Sequence, residues 1–221
     1  MIRIGHRGAA GHAPENTLIA IEAGIALGSD FVELDVQSTC DGQFVIMHDK
    51  RVDRTTGRPG LVSQMTVEEL RQLDAGNGQR VPLLSEVLTL ANGRVGLILE
   101  IITPGISTEL FRAIERQPFH GPIIFASFHH RELLAIPGST RLVLFEGVPV
   151  KPAAFALEAQ ASHVGIAVDS ITLEFVRALH DAGLLVFVYT VDDKRDVDWL
   201  CSMRVDGIIS NRPEIVPKSL A

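Results

Sequence analysis

The stretch from Arg3 to Thr17, "RIGHRGAAGHAPENT", decides between two architectures. It reads as a short apolar strand with polar residues at its end, then a loop of small residues, then the start of a helix. A first strand leading into G-x-G-x-x-G would indicate a doubly wound sheet that binds a dinucleotide. No such spacing follows this strand. What it presents instead is His6 and Arg7 at a strand C-terminus, a few residues ahead of Pro14, Glu15, Asn16 and Thr17. Pro14 and Thr17 suit a helix start, and Asn16 suits its cap.

Outward from this stretch the same alternation continues. Short β-branched or apolar runs lie at 2–5, 31–37, 43–48, 95–101, 123–128, 141–146, 163–168, 185–191 and 206–210. Helical periodicity fills the gaps at 14–28, 65–74, 83–93, 107–117, 172–183 and 193–203, with Thr66 and Glu69 spaced as a capping box. Continuous apolar strands alternating with helices predict a parallel sheet buried on both faces. Polar residues end strand after strand, whereas an open sheet gathers its site at one switch point. The pattern therefore predicts an α/β, TIM-like (β/α)8 barrel with all those ends at one mouth, as one domain over residues 1–221.

One connection breaks the alternation. "STCDG" (38–42) is too short for a parallel crossover, and Asp41-Gly42 is a strong two-residue hairpin turn. An antiparallel hairpin with Cys40 opposite Gln43 would set Val36 against Met47 and Asp35 against His48. The count of parallel strands then falls towards eight without showing which candidate is accessory. Residues 50–80, after the third strand candidate, carry turn residues, charge and one short helix. They read as an insertion at the barrel mouth.

Composition narrows the function classes. Twenty basic against 27 acidic residues give a net charge of −7, which argues against a nucleic-acid or anionic-membrane surface. Cys40 and Cys201 are far apart and outside any CxxC spacing, so neither a disulfide framework nor a zinc site is predicted. With no signal-like start, no long apolar span and no membrane anchor, the expectation is a soluble cytoplasmic protein.

The strongest chemical signal is the pair Glu33 and Asp35 in "FVELDVQ". Residues two apart on a strand share a face, so both carboxylates enter either the barrel interior or the helix layer. Two like charges in either place repel, and a divalent cation resolves the conflict. Salt bridges to arginines of a neighbouring helix are the structural alternative. Glu100, ending the apolar run "VGLILEI", is the candidate third ligand, and an all-oxygen set favours Mg²⁺ or Ca²⁺ over zinc. His6 and His48, each at a strand end, can serve as proton carriers near neutral pH. Arg7 has the planar fork that fits a phosphate. Glu15 opens a helix facing the same mouth. His12 lies near this site without a defined role, while His120, His129, His130, His163 and His180 read as surface or loop residues.

Taken together, "GHRG", "PENT", "ELDV", "TCDGQFVIMHD", "RTTGRPG", "VPLLSEVL", "LILEI", "ASF", "VYTVDD" and "VDGIISNRPE" resemble, in order and spacing, the glycerophosphodiester phosphodiesterase family over nearly the whole chain. The resemblance implies hydrolysis of glycerophosphodiesters to sn-glycerol 3-phosphate and an alcohol, with Mg²⁺ or Ca²⁺. It implies His6 and His48 as the acid/base pair, Arg7 as the phosphate contact, Glu33, Asp35 and Glu100 as metal ligands, and Glu15 and Asn16 as polar lining. Two positions depart from the family. Ile102 stands where a lysine is usual, and "YTVDD" replaces Trp-Thr-Val-Asn, so Tyr189 and Asp192 fall where the substrate's alcohol is selected. Lysophospholipase D or sphingomyelinase D-type chemistry is the related alternative. A non-catalytic phosphate- and metal-binding relative is the alternative that Ile102 raises. A small-molecule diester is the expected partner, and no residue pattern specifies an oligomeric state.

Overall fold

In the computed structural model, which describes residues 1–218, eight parallel strands close a barrel. They are β1 (Ile2–Gly5), β2 (Phe31–Ser38), β4 (Gly96–Ile101), β5 (Ile123–Ser127), β6 (Thr140–Phe145), β7 (His163–Ala167), β8 (Leu185–Tyr189) and β9 (Gly207–Ser210). The order runs β1-β9-β8-β7-β6-β5-β4-β2, and β2 returns to β1 through Ile4 opposite Phe31 and Gly5 opposite Val32. The accessory strand is β3 (Phe44–Ile46), antiparallel to β2. The closed TIM-like barrel predicted from the sequence is thus the fold.

Alternation along the strands sorts the chain into two cores. Val32, Leu34 and Val36 point outward, against Ile21 of α1 (Leu18–Ala26) and Val87 and Leu88 of α4 (Leu84–Ala91). Ile4, Ile98, Ile124, Leu142, Leu144, Phe187 and Ile209 fill the interior, with Phe31 packed on them. Glu33 and Asp35 share the face of Phe31 and so enter the barrel, which settles the choice that period-2 reasoning left open. The outer layer continues with α5 (Ser107–Glu115), α6 (His130–Leu134), α7 (Ala154–Glu158), α8 (Leu173–Asp181) and α9 (Lys194–Met203). Thr172 caps α8 and Asp193 caps α9.

Several local expectations are corrected. The hairpin register is shifted by one: Val36 pairs with Ile46, Gln37 with Val45 and Ser38 with Phe44. The turn has three residues, Cys40-Asp41-Gly42, with Gly42 left-handed at φ 75 and the Thr39 N–H bonded to the Gln43 carbonyl. Three-residue hairpin loops place a left-handed glycine in this way. The Thr39 hydroxyl holds the Gln43 N–H, and the Cys40 N–H reaches the Met65 carbonyl, so the insertion draws the turn open. Met47, not His48, donates its N–H to the Asp35 carbonyl.

The helix cap is Thr17, whose hydroxyl accepts from the Ala20 N–H, and not Asn16. The insertion holds more than one short helix. It carries α2 (Asp53–Thr56), a 3-10 turn at Val62–Gln64 and α3 (Val67–Arg71), the last with the expected Thr66–Glu69 capping box. These close over a core of their own made by Val45, Met47, Val52, Val62, Leu70, Ala75 and Val81. His163 is no surface residue. It is buried, edge-on to Phe187 at a 5.0 Å ring separation.

Candidate active site

At the C-terminal end of the barrel, oxygens of Glu33, Asp35 and Glu100 lie within 4.8 Å of one another. β2 and β4 run in register, with Asp35 opposite Glu100, so the pairing itself gathers the three carboxylates. Glu33 and Asp35 are buried, while Glu100 opens onto a cavity. Burial, together with the charges of Asp35 and Glu100, holds the Glu33 carboxyl well above its ordinary range. Burial and Asp35 push Glu100 up to about 8, against the pull of Arg7. One oxygen of Glu33, Oε1, is buried without a hydrogen-bond partner among the described residues. Three crowded carboxylates with an orphaned oxygen fit a hard divalent cation, which needs oxygen ligands and removes their mutual repulsion.

Arg7 supplies part of that positive charge. Its backbone N–H donates to Glu33 Oε2 at 3.0 Å, its Nε lies 3.4 Å from Asp35 Oδ2, and its Nη1 donates to Glu15 Oε1 at 2.7 Å. The salt-bridge alternative raised from the sequence is therefore partly realised, with the arginine coming from the β1–α1 loop and not from a neighbouring helix. Asn16, freed from capping and left-handed at φ 57, donates to Asp35 Oδ2 at 2.7 Å and accepts from the Asp35 N–H. The polar end of "RIGHRGAAGHAPENT" thus wraps the acidic cluster.

The two histidines are held differently. His6 Nε2 lies 3.9 Å from Glu33 Oε2, and its Nδ1 meets Asn211 Oδ1 at 2.7 Å. The Asn211 amide is oriented by Asp192, which accepts its N–H and its Nδ2 at 2.8 and 2.6 Å. Since Nδ2 is committed to Asp192, Oδ1 faces His6, and His6 must donate from Nδ1. Burial and the Arg7 charge lower the His6 pKa. His48 lies on the other flank, lining a cavity with Glu15, Asn16 and Met47, and its Nδ1 meets Asp49 Oδ1 at 2.7 Å. It reaches this region from the loop after β3, not as the direct cross-strand neighbour of Asp35.

Tyr189 faces the cavity that Glu33, Glu100 and His6 line, whose other walls include Ile98, Leu142 and Leu144. Its hydroxyl donates to the Phe145 carbonyl at 3.0 Å, and its ring meets Phe128 edge-on at 6.1 Å. Burial keeps the phenol protonated, so the residue offers the cavity a ring and not an anion. Ile102 follows the end of β4, with its N–H on the Val36 carbonyl. The residues that sequence reasoning did not assign are Asn211 and Arg54, while Asp192, expected where the substrate's alcohol is selected, instead holds Asn211. Each of the three occurs in a quoted motif, "ISNRPE", "RTTGRPG" or "VYTVDD", but their pairings join positions up to 205 apart and have no local signature.

The family model described as the glycerophosphoryl diester phosphodiesterase family matches residues 6–215. A glycerophosphodiester phosphodiesterase of Caldanaerobacter subterraneus subsp. tengcongensis is 36% identical, covering 96% of this chain and 94% of the relative. One of Bacillus altitudinis is 33% identical, over 95% and 94%. Among solved structures, a phosphodiesterase of Oleispira antarctica in complex with the product sn-glycerol-3-phosphate superposes with TM-score 0.91 at 28% identity, over 97% of this chain and 94% of that one.

Proposed function

Because this chain belongs to the glycerophosphoryl diester phosphodiesterase family and is a phosphodiester hydrolase of that type, we propose that it cleaves glycerophosphodiesters to sn-glycerol 3-phosphate and an alcohol in a metal-dependent reaction. The observation that carries this is the cluster of Glu33, Asp35 and Glu100 oxygens within 4.8 Å, with His6 beside it at the barrel mouth. The product bound by the Oleispira antarctica relative supports the glycerol 3-phosphate half of the substrate. In our reading Glu33, Asp35 and Glu100 hold Mg²⁺ or Ca²⁺, which supplies Lewis acidity to the phosphoryl oxygens when bound.

The remaining chemistry belongs to the chain's own side chains. His6 donates from Nδ1 to Asn211, which leaves Nε2 with a lone pair, and its lowered pKa keeps it neutral; it takes the nucleophile's proton. His48, backed at Nδ1 by the Asp49 carboxylate, delivers a proton to the departing alcohol. Arg7 meets the phosphate, with Glu15 and Asn16 fixing its surroundings. The ring of Tyr189 packs against the substrate in the cavity. Two free cysteines are consistent with the cytoplasm as the compartment, and no helix among the described residues is long and apolar enough to cross a membrane.

One observation favours a second substrate class. The cavity beside Glu33 and Glu100 has apolar walls and opens at Phe128, which is 44% exposed, so a lysophospholipid is a candidate for lysophospholipase D-type cleavage. The test is a coupled assay for glycerol 3-phosphate, with Mg²⁺ or Ca²⁺, across choline, ethanolamine and glycerol diesters, and a choline-release assay on lysophosphatidylcholine. Release from at least one glycerophosphodiester is expected. Tight metal binding with no release from any of these substrates overturns the proposal in favour of a non-catalytic binder.

A further inference from the structure

The proposed mechanism leaves Arg54 unused, although its guanidinium ties together both flanks of the site. Arg54 lies in α2 of the insertion, outside the barrel. Its Nε and Nη2 donate to Asp49 Oδ2 and Oδ1 at 2.7 and 3.0 Å. Its Nη1 and Nη2 donate to Glu15 Oε2 and Oε1 at 2.7 and 2.6 Å. One planar cation therefore makes a two-pronged contact with each of two carboxylates. Each carboxylate passes the constraint on: Asp49 Oδ1 to His48 Nδ1 and Glu15 Oε1 to Arg7 Nη1, both at 2.7 Å.

We infer that Arg54 is a positioning residue, acting through Asp49 on His48 and through Glu15 on Arg7, so that the insertion sets the geometry of the site. This rests on the functional reading above for the roles of His48 and Arg7. As an ordinary surface ion pair Arg54 would contribute little, because its side chain is half exposed and exposed pairs add little to stability. Geometry makes it more than that. Asp49 and Glu15 reach the site from different segments, one after β3 and one before α1; Gln37 of β2 holds the Asp49 backbone through its carbonyl at 2.8 Å, but no strand residue among those described holds either carboxylate. His48, 41% exposed, has no strand pairing to hold its ring. A guanidinium can satisfy two carboxylates at once through fixed forks, whereas a lysine ammonium is a single point with rotating donors. The function of the fork is thus orientation, whose loss is felt in the transition state more than in substrate binding.

The test compares wild type, Arg54→Ala and Arg54→Lys in the glycerol 3-phosphate assay, with thermal melting of each. Both variants are expected to lose about tenfold to a hundredfold in kcat, the range for groups that orient a proton carrier or ligand, with KM within about threefold and melting nearly unchanged. Millimolar guanidinium ion is expected to restore part of kcat in Arg54→Ala, and ethylammonium is not. Unchanged kcat in both variants overturns the inference. So does a parallel fall of kcat and melting temperature that lysine repairs, which marks a plain surface charge. If Arg54→Ala does not fold, Arg54→Lys alone carries the test. Absence of turnover by wild type overturns the functional reading instead. The inference is then decided by NMR of the metal-loaded protein: the downfield His48 Nδ1 proton is expected to be lost or shifted in Arg54→Lys, and an unmoved signal sinks it.

Discussion

Glu100 shows how a single side chain can oppose the fold that carries it. Its carboxyl is raised to about 8 by burial and by Asp35, so in the metal-free protein its ionisation works against folding. Glu100→Gln keeps the shape and removes the charge. Metal-free Glu100→Gln is expected to melt at or above wild type, while the stabilisation given by Mg²⁺ or Ca²⁺, about 2.7 kcal/mol at a hundredfold excess over Kd, largely disappears. Differential scanning calorimetry with and without the cation checks both halves; a lower metal-free midpoint contradicts the repulsion argument. Ile102 tests the opposite gap. If the missing lysine matters for phosphate charge, Ile102→Lys should raise kcat/KM by about tenfold, and an unchanged value shows that Arg7 already provides enough. Glu33 and Asp35 were legible in the sequence as two carboxylates on one face of an apolar strand, and Glu100, His6 and Arg7 as ionisable residues where an apolar strand ends. Asn211 was not, because a neutral amide after "GIIS" becomes informative only when His6 is 2.7 Å away.

At the scale of elements, the β2–β3 hairpin and the insertion behave as one unit. Sequence spacing identified the hairpin but misplaced its register by one residue. A two-residue Asp-Gly turn competes with a three-residue one, and the insertion's contact between Met65 and Cys40 favours the longer turn. Leu70 is fully buried in the insertion's own cluster. Leu70→Ala should destabilise by about 2–5 kcal/mol if the insertion unfolds with the barrel, measured by denaturant titration. A separate, earlier proteolytic nick within 50–80 would show instead that the insertion opens alone.

The Arg54 clamp adds a pH signature to this unit. Burial raises the Glu15 carboxyl, but hydrogen bonds from Arg54 and the Arg7 charge outweigh it and hold it at about 2; Arg54 holds Asp49 at about 2. Both folded values lie below the unfolded ones of 4.5 and 3.8. Between those values and about pH 2 the unfolded chain therefore binds more protons, so this contribution is full above about pH 4.5 and lost as pH falls. Arg54→Ala should flatten that part of the stability–pH curve. The effect is small, because the pair is partly exposed, and shrinks further at 1 M salt.

Across the whole molecule, closure of the barrel depends on strands that alternate large and small residues inside. A Cβ at Gly207 would sit 2.7 Å from the Phe187 ring and 3.2 Å from Ile4, so the missing side chain on β9 makes room for the ring from β8. Gly207→Ala should cost about 1–3 kcal/mol from overpacking, with Phe187→Leu in the same chain recovering part of it; additive losses in the double variant would contradict the pairing. Alone, the sequence determined the alternation of strand and helix, the barrel, the family and the carboxylates and histidines at strand ends, because periodicity and lone charges in apolar runs are local properties. Tertiary structure alone decided which strand is accessory, which hairpin register holds, that Asn16 binds Asp35 instead of capping a helix, and that Arg54 joins His48 to Arg7. Those outcomes come from competition between segments far apart in the chain, and such a competition is settled only when the barrel closes and brings its loops to one mouth.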